Sequence, residues 1–182
     1  MKSGHFGAIN ETQSDFLSQI ESSGKHLLEL ISGLLDVAKI DSGSMEIDLQ
    51  SCKPKDIFYE VVGLIQPQLV EKKLQLKQLI DPTVETVVCD MRKVKQIMGN
   101  LLSNAIKYTP ENGTVEMVIT MENGFTKVIV SDNGIGISKA DQEIIFDEFA
   151  QANRSRDEAL GGTGIGLALS RRLVELLSLI HI

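Results

Sequence analysis

A row of polar side chains suited to cation binding runs along the segment NLLSNAIKYTP, residues 100–110. Asn100, Asn104 and Lys107 recur at helical spacing, so in a helix they share one face. Asparagine carbonyl oxygens suit a hard cation such as Mg²⁺, although a single helical asparagine is more typical of a surface or cap position. A separate apolar row lies beside the polar one and predicts that this part of the helix packs on a core: Ile97, Met98, Leu101, Leu102 and Ala105.

A carboxylate followed by two glycines occurs in the segment VSDNGIGIS, residues 130–138. Asp132 follows a strongly apolar stretch, and the Asp-Asn-Gly sequence is by itself typical of a tight turn. A turn does not explain the second glycine, Gly136. Two closely spaced glycines allow a backbone to approach a flat or phosphorylated ligand, and the carboxylate can accept a hydrogen bond from an exocyclic amine.

A glycine-rich segment, GGTGIGLAL at residues 161–169, precedes the last apolar-periodic stretch. Free N–H groups at a helix start favour phosphate. Neither the GxGxxG fingerprint nor the Walker A loop fits, because the third glycine of the former and the Gly-Lys-Ser/Thr of the latter are missing. A phosphate loop of another type remains, beside the alternatives of a flexible linker or close helix packing.

The amino-terminal part of the chain predicts one long amphipathic helix. Apolar residues recur with helical periodicity over residues 14–40, Ser14 is a suitable cap, and the turn residues 41–44 end the pattern. A helix of this length followed by a clear break favours a separate bundle or dimerisation element over a helix packed only on its own domain.

The rest of the chain predicts strands and helices without regular βαβ order. Asp90 is expected to cap the asparagine helix and Pro110 to end it, while Asn123-Gly124 predicts an antiparallel hairpin. The pattern favours an α+β sandwich of one sheet covered by helices on one face. Strands are predicted at 45–49, 74–80, 86–89 and on both sides of Asn123-Gly124; helices are predicted at 54–72, in a short stretch with Ile145, Phe146 and Phe149, and from near Gly164.

The totals exclude several classes of protein. The formal charge of −7 with no basic block argues against nucleic-acid binding, and no apolar run reaches the roughly 20 residues of a membrane span. Cys52 and Cys89 belong to no metal or CxxC motif, so reduced thiols in a cytoplasmic protein are expected.

Four ordered segments resemble the sensor histidine kinases of two-component systems. NLLSNAIKYTP is similar to the N box, VSDNGIGIS to the first glycine box, IIFDEFAQ to the F box and GGTGIGLALSRRLVELL to the second glycine box. The resemblance covers about residues 50–177 and implies a Bergerat-type ATP-binding domain with a mixed sheet. Upstream, FLSQIESSGKHLLELISGLLDVAKIDSG resembles the second helix of the dimerisation and phosphoacceptor domain. It implies a partial dimerisation domain at 1–43 and a catalytic domain at 44–182.

The resemblance also implies roles for single residues. Asp132 would bind the adenine amino group, and Asn104, helped by Asn100, would hold Mg²⁺. Residues 137–162 would form the lid, in which Arg154 and Arg156 are candidate phosphate contacts without an assigned role. The remaining implied contacts are Lys107 and Tyr108 at the phosphates or ribose, Gly134 and Gly136 at the adenine, and Gly162, Thr163, Gly164, Gly166 and Leu167 at the phosphates.

The implied activity is transfer of the γ-phosphate of ATP to a histidine that this chain does not supply. His5, His26 and His181 do not stand in an H box, and the family's last strand hairpin is expected to be missing, so a fragment inactive alone is predicted. The implied partners are a second copy, through the amino-terminal helix, and a response regulator receiver domain. Neither nucleic acid nor membrane contact is expected.

Two other functions remain open. A gyrase- or chaperone-type ATPase shares the fold, but those proteins commonly have a glutamate base where this chain has Asn100, and an amide cannot activate water. A non-catalytic dimerisation and regulatory module, which retains the fold without turnover, is the alternative from a different class.

Overall fold

The computed structural model describes residues 9–150 and 163–177. Helix α1 spans Glu11–Asp41 and begins with a capping box. The Asn10 side chain accepts a hydrogen bond from the Gln13 backbone N–H at 2.8 Å, and the Gln13 side chain accepts one from the Asn10 N–H at 3.0 Å. The expectation that Ser14 caps this helix is therefore wrong, because the reciprocal pair upstream satisfies two free amide groups at once.

Most of α1 is exposed, and only its last third packs on the rest of the chain. Gly33 and Val37 are its buried residues. A Cβ atom on Gly33 would lie 3.0 Å from the Ile165 side chain, so the glycine admits close approach. Large apolar side chains remain 47–67% exposed along the helix: Phe16, Ile20, Leu27, Leu28, Ile31, Leu34 and Leu35.

The strands form two separate sheets in the described part of the chain. Strand β1 pairs antiparallel with β3, while β2 pairs parallel with β4 and β4 pairs antiparallel with β5. The mixed sheet is confirmed, but the expectation of one sheet is wrong for β1 and β3, which bond only to each other. The bounds are β1 Gln50–Cys52, β2 Gln75–Ile80, β3 Val87–Cys89, β4 Thr114–Glu122 and β5 Phe125–Asp132.

The first strand also begins later than expected. The prediction of a strand at 45–49 is wrong, since β1 starts at Gln50, where it meets Cys89 of β3 in register. The hairpin between β4 and β5 follows the sequence signal: Asn123 and Gly124 both have positive φ, at 52° and 83°. Positive φ at both turn positions matches the right-handed twist of the strands.

Four further helices complete the described fold, and two of them cover the sheet. Helices α2 (Pro54–Glu71) and α3 (Met91–Tyr108) share one apolar core with the inward-facing residues of β4, Val115, Met117 and Ile119. Helix α4 covers Lys139–Ile144, so Ile145, Phe146 and Phe149 follow the short helix instead of lying within it. Helix α5 covers Gly166–Leu176 and packs on α1 and α3 through a second cluster with Val37 and Ile97.

Helix α2 is followed by a lysine in the left-handed region of backbone conformation, which allows backbone strain to be tested. Lys73 has φ 54°, and the bonds Lys73 N–H to Val70 O and Leu74 N–H to Leu69 O form a Schellman motif. Glycine adopts this conformation without a Cβ penalty. The left-handed conformation costs a residue with a Cβ about 1–2 kcal/mol, and the greater freedom of glycine in the unfolded chain offsets roughly 0.5–1 kcal/mol of that gain. We therefore expect Lys73→Gly to raise the free energy of unfolding by about 0.5–1 kcal/mol, measured by urea denaturation. Lys77→Gly within β2 is the control and should lower it; the same gain in both variants would contradict this explanation.

Two buried thiols on the β1–β3 ladder give the fold an alkaline pH dependence. Cys52 and Cys89 are free and each 6% exposed. Burial, and to a lesser extent the nearby Cys52 thiol and Asp90 carboxylate, together raise the pKa of Cys89 to about 11. Because the unfolded thiol ionises at a lower pH, stability is intact below pH ~9 and falls as the pH rises toward 11.

The measurement is denaturant unfolding of the native chain and of Cys89→Ala across this interval. We expect the fall in unfolding free energy between pH 9 and 11 to be smaller in the variant, because the protonated thiol no longer contributes. Parallel curves for the two proteins would show that other groups cause the alkaline loss.

Candidate functional site

The site is built on α3, whose start is fixed by a buried carboxylate. Asp90 is 1% exposed, and its two oxygens accept hydrogen bonds from the backbone N–H groups of Arg92 at 3.0 Å, Lys93 at 3.2 Å and Asp48 at 3.1 Å. Burial raises the pKa of Asp90, but these three N–H groups together with the Arg92 charge lower it more, so the net pKa lies below the usual range. The predicted N-cap is confirmed.

The apolar row of α3 faces the core and leaves the polar row on the other side. Ile97, Met98, Leu102 and Ala105 are all buried. Asn100, Asn104 and Lys107 are partly buried, and Tyr108 is 40% exposed. The helix therefore presents a polar stripe while its buried stripe holds it on the sheet.

Asn100 connects α3 to the start of α5. Its side-chain amide nitrogen donates to the Gly166 carbonyl at 3.1 Å and to the Ser170 hydroxyl at 3.2 Å. Ser170 in turn donates to the same Gly166 carbonyl at 2.9 Å. Because the nitrogen is used within the protein, the Asn100 carbonyl oxygen is the group left for a ligand.

The next polar side chains on α3, Asn104 and Lys107, make few polar contacts within the described residues. Across residues 9–150 and 163–177, the Asn104 amide has no hydrogen-bond partner. The Lys107 ammonium lies 4.8 Å from the centre of the Tyr108 ring, a cation–π contact on the same turn. An amide oxygen and a positive charge are thus both available to a ligand beside α3.

Asp132 ends β5 and shapes the turn that follows it. One of its carboxylate oxygens accepts a hydrogen bond from the Gly134 N–H at 2.8 Å, which confirms the tight turn suggested by the sequence. The side chain is exposed, so its second oxygen can accept from a ligand amine. The turn and a binding role are therefore compatible.

The glycine turn packs directly on the end of α3. A Cβ atom on Gly134 would lie 2.5 Å from the Tyr108 carbonyl oxygen, and the Ile135 N–H donates to that oxygen at 3.3 Å. Gly136 has φ 68° with nothing within 4 Å of an added Cβ, so its conformation alone favours glycine.

The second glycine segment contacts α3 at the other end of the polar stripe. Gly164 has φ 68° and lies against Phe149, whose N–H donates to the Gly164 carbonyl at 3.0 Å. Thr163 accepts from the Ile165 N–H at 3.2 Å. The N-cap residue of α5, Ile165, has no side-chain group that caps the first turn, where Gly166 and Leu167 lie, so the N–H groups of this turn can bind an anion.

One helix thus touches both glycine segments. Asn100 meets Gly166, and Tyr108 meets Gly134. These positions on α3 are eight residues apart, or about 12 Å along the axis. Asn104 lies midway between them. Gly161, Gly162, Arg154, Arg156, His5 and His181 lie outside the described residues.

Residues 9–150 and 163–177 contain neither a cluster of metal-binding side chains nor a membrane-spanning helix. No cluster of three or more His, Cys, Asp or Glu side chains there could hold a metal ion. In the same ranges, no helix has both the length and the apolar character needed to span a membrane.

Sequence reasoning missed three residues that hold the site together. Asn133 accepts from the Thr114 N–H at 2.8 Å, Ser170 bonds Asn100, and the Lys72 ammonium bonds the end of α3. Each contact joins residues at least 19 positions apart. The polar Ser170 within an apolar row of the last helix was the one signal that could have drawn attention.

The fold and these contacts match a known family. The family of histidine kinase-, DNA gyrase B-, and HSP90-like ATPases matches residues 89–181, just over half of the chain. The chain belongs to this family, and the resemblance inferred from the sequence is confirmed.

Named relatives narrow the similarity to histidine kinases. The circadian input-output histidine kinase CikA of Synechococcus elongatus is 36% identical over 173 residues, which cover 94% of this chain and 23% of that protein. The crystal structure of full-length ShkA in complex with AMPPNP has a TM-score of 0.80 at 25% identity and covers 96% of this chain and 36% of ShkA. The chain spans a quarter or less of the length of the curated relatives it matches.

A third similarity concerns a complex. The histidine kinase ThkA, in its crystal structure with the response regulator protein TrrA, has a TM-score of 0.64 at 21% identity and covers 81% of this chain and 43% of ThkA. At this identity the likeness supports the fold.

Proposed function

We propose that this chain is the ATP-binding catalytic portion of a two-component sensor histidine kinase. In this proposal it transfers the γ-phosphate of ATP to a histidine carried outside this chain. The observation that carries the proposal is the contact of α3 with both glycine segments, Asn100 to Gly166 and Tyr108 to Gly134. Phosphoryl transfer depends mainly on alignment and charge neutralisation, which a rigid helix between two ligand-binding loops can supply.

The nucleotide would lie along the polar stripe of α3. The free oxygen of Asp132 would accept from the adenine amino group, beside the backbone of Gly134 and Gly136. The N–H groups at the start of α5 would receive the phosphates, with Lys107 adding positive charge. The remaining proposed contacts are Tyr108 at the ribose or phosphates and Gly162, Thr163, Gly164, Gly166 and Leu167 at the phosphates.

The side chains of Asn104 and Asn100 fit a magnesium site. The Asn104 amide has no partner in the described chain, and the hydrogen bonds of Asn100 use its nitrogen and leave its oxygen. Mg²⁺ is commonly bound by few protein oxygens together with water and nucleotide phosphates, and when bound it would neutralise phosphate charge. The protein's part is to hold these oxygens in place on α3.

The partners follow from the same proposal. The exposed apolar side chains of α1, such as Phe16 and Ile31, support a dimer through residues 1–43, with residues 44–182 as the catalytic domain. A response regulator receiver domain is the proposed downstream partner, as in the ThkA–TrrA complex. Such a partner would place the chain in the cytoplasm.

The test supplies the missing acceptor. The chain is mixed with Mg²⁺, γ-labelled ATP and a separate two-helix hairpin whose first helix carries a histidine. We expect acid-labile label on the hairpin, and none when that histidine is replaced by glutamine. ATP binding without label would favour the non-catalytic module, and release of free phosphate without the hairpin would favour the gyrase-type ATPase.

A further inference from the structure

The end of α3 is held by a lysine that belongs to another helix. Lys72 is the C-cap of α2, and its ammonium donates to the carbonyl oxygens of Ile106 at 2.9 Å, Lys107 at 2.8 Å and Thr109 at 3.0 Å. All three donors of the ammonium are therefore used. The carbonyl end of a helix is partially negative, so the charge stabilises the last turn of α3 as well as satisfying its acceptors.

The remaining carbonyl of that turn points toward the glycine turn. The Tyr108 oxygen accepts from the Ile135 N–H at 3.3 Å and lies so close to Gly134 that any side chain there would clash. Gly134 in turn donates to the carboxylate of Asp132. A continuous path of contacts thus leads from Lys72 through the α3 terminus to Asp132.

A second path runs through the loop between α3 and β4. The backbone oxygen of Lys72 accepts from the Asn112 N–H at 3.1 Å. Two residues later, Thr114 exchanges two hydrogen bonds with Asn133, at 2.8 Å through the Asn133 side chain and at 3.2 Å through its N–H. Both paths begin at Lys72 and end on the turn that carries Asp132.

We infer that Lys72 is a positioning residue for the adenine side of the nucleotide site. By fixing the carbonyls around Tyr108, it sets where the Gly134 turn packs and hence where the free oxygen of Asp132 points. This inference rests on the proposed function, because it takes Asp132 as the adenine ligand. Among the described residues, the Lys72 ammonium has no hydrogen bond to either glycine segment; it acts through the end of α3.

The first experiment needs no nucleotide. Amide hydrogen exchange is compared in the native chain, Lys72→Met, Lys72→Arg and the matched control Lys77→Met, which changes an exposed lysine of β2. Methionine keeps the length of the side chain but cannot donate, whereas arginine retains charge and donors. We expect Gly134 and Ile135 to exchange about tenfold faster in Lys72→Met, with partial recovery in Lys72→Arg and no change in the control.

If Lys72 only stabilised the fold as a whole, the pattern of amide exchange rates would be different. The Leu169 N–H, bonded to the Ile165 carbonyl at 2.8 Å in α5, reports on the rest of the fold. Equal acceleration of Leu169 and Ile135, or unchanged rates at Gly134 and Ile135, would overturn the inference. Faster exchange confined to Gly134 and Ile135 supports the inference. Because this experiment uses no nucleotide, its result does not depend on whether the chain binds ATP.

The second experiment separates this inference from the proposed function. Affinities for Mg-ATP and for inorganic tripolyphosphate are measured by calorimetry. We expect Lys72→Met to weaken ATP binding about tenfold and tripolyphosphate binding by much less, because the N–H groups proposed to bind phosphate at the start of α5 do not depend on the turn that Lys72 holds. No ATP binding by the native chain would refute the proposed function, whereas equal ATP affinity of the native chain and Lys72→Met would refute the role of Lys72.

Discussion

Replacing Asp132 with asparagine is expected to weaken Mg-ATP binding tenfold or more while leaving the fold intact. The proposed bond from the adenine amine to the carboxylate is charge-assisted and worth about 1.5–3 kcal/mol, and each ~1.4 kcal/mol is tenfold in affinity. In Asp132→Asn one amide oxygen can still accept from the Gly134 N–H, so the turn survives. The other position becomes an NH₂ group, which repels the adenine amine.

Calorimetric titration with Mg-ATP measures the affinity, and thermal unfolding without nucleotide checks the fold. The matched control is Asp15→Asn, which makes the same chemical change on the exposed surface of α1. Its affinity should equal that of the native chain. An unchanged affinity in Asp132→Asn would remove the carboxylate from the site and favour the non-catalytic module.

Local sequence signals predicted several elements of the site correctly. Asp90 caps α3 through contacts two and three residues away, and Asn123-Gly124 forms the hairpin between adjacent strands. These features depend on neighbours in the chain, where side-chain type and spacing carry the information. The two faces of α3 were equally predictable, because helical periodicity alone separates Leu102 from Asn104.

The cap of α1 and the start of β1 differ from the expectations, for two different reasons. Both Asn10 and Ser14 can cap a helix, and the choice depends on Gln13, whose side chain completes a capping box only with Asn10. Strand propensity predicts a first strand at 45–49, whereas β1 starts at Gln50, because pairing with β3 sets its position.

Contacts between distant residues could not be predicted from one sequence. Lys72 lies 34–37 residues from the carbonyls it binds, and Asn100 lies 70 residues from Ser170. Nothing in the periodicity of α2 marks its last lysine as a partner of α3. The roles proposed for Asn100, Asn104 and Asp132 therefore rest on the resemblance of the ordered motifs to those of sensor histidine kinases, whereas the contacts of Asn100 and Asp132 are found only in the structure.

Truncation of a core residue beneath the polar stripe of α3 is expected to lower the stability of the chain strongly. Leu102 is fully buried, on the face of α3 opposite Asn100 and Asn104, and packs in the cluster that joins α2, α3 and the sheet. We expect Leu102→Ala to lower the free energy of unfolding by about 2.7–5 kcal/mol, since it removes buried methyl groups and leaves a cavity. Urea denaturation should show a lower midpoint with an unchanged slope.

The matched control is Leu64→Ala, the same truncation on α2 at a side chain that is 76% exposed. It should change the unfolding free energy by no more than about 0.5 kcal/mol. Comparable losses in the two variants would mean that α3 is not held by this core. A total stability of about 5–15 kcal/mol is typical of such domains, so a native stability of about 8 kcal/mol or more, measured in the same urea series, leaves Leu102→Ala folded in the absence of urea for binding measurements.

The affinity of Leu102→Ala for Mg-ATP distinguishes the role of the buried face of α3 from that of its polar stripe. The truncation leaves the groups on the polar stripe chemically unchanged, and we expect Asn100 and Tyr108 to keep the contacts with Gly166 and Gly134 that they make in the native chain. At temperatures well below unfolding, the affinity of Leu102→Ala for Mg-ATP should therefore stay within about threefold of the native value, a change of ~0.7 kcal/mol. A tenfold loss in folded Leu102→Ala would instead mean that core packing sets the position of the amide oxygens directly, and that the rigidity of α3 is part of the nucleotide site.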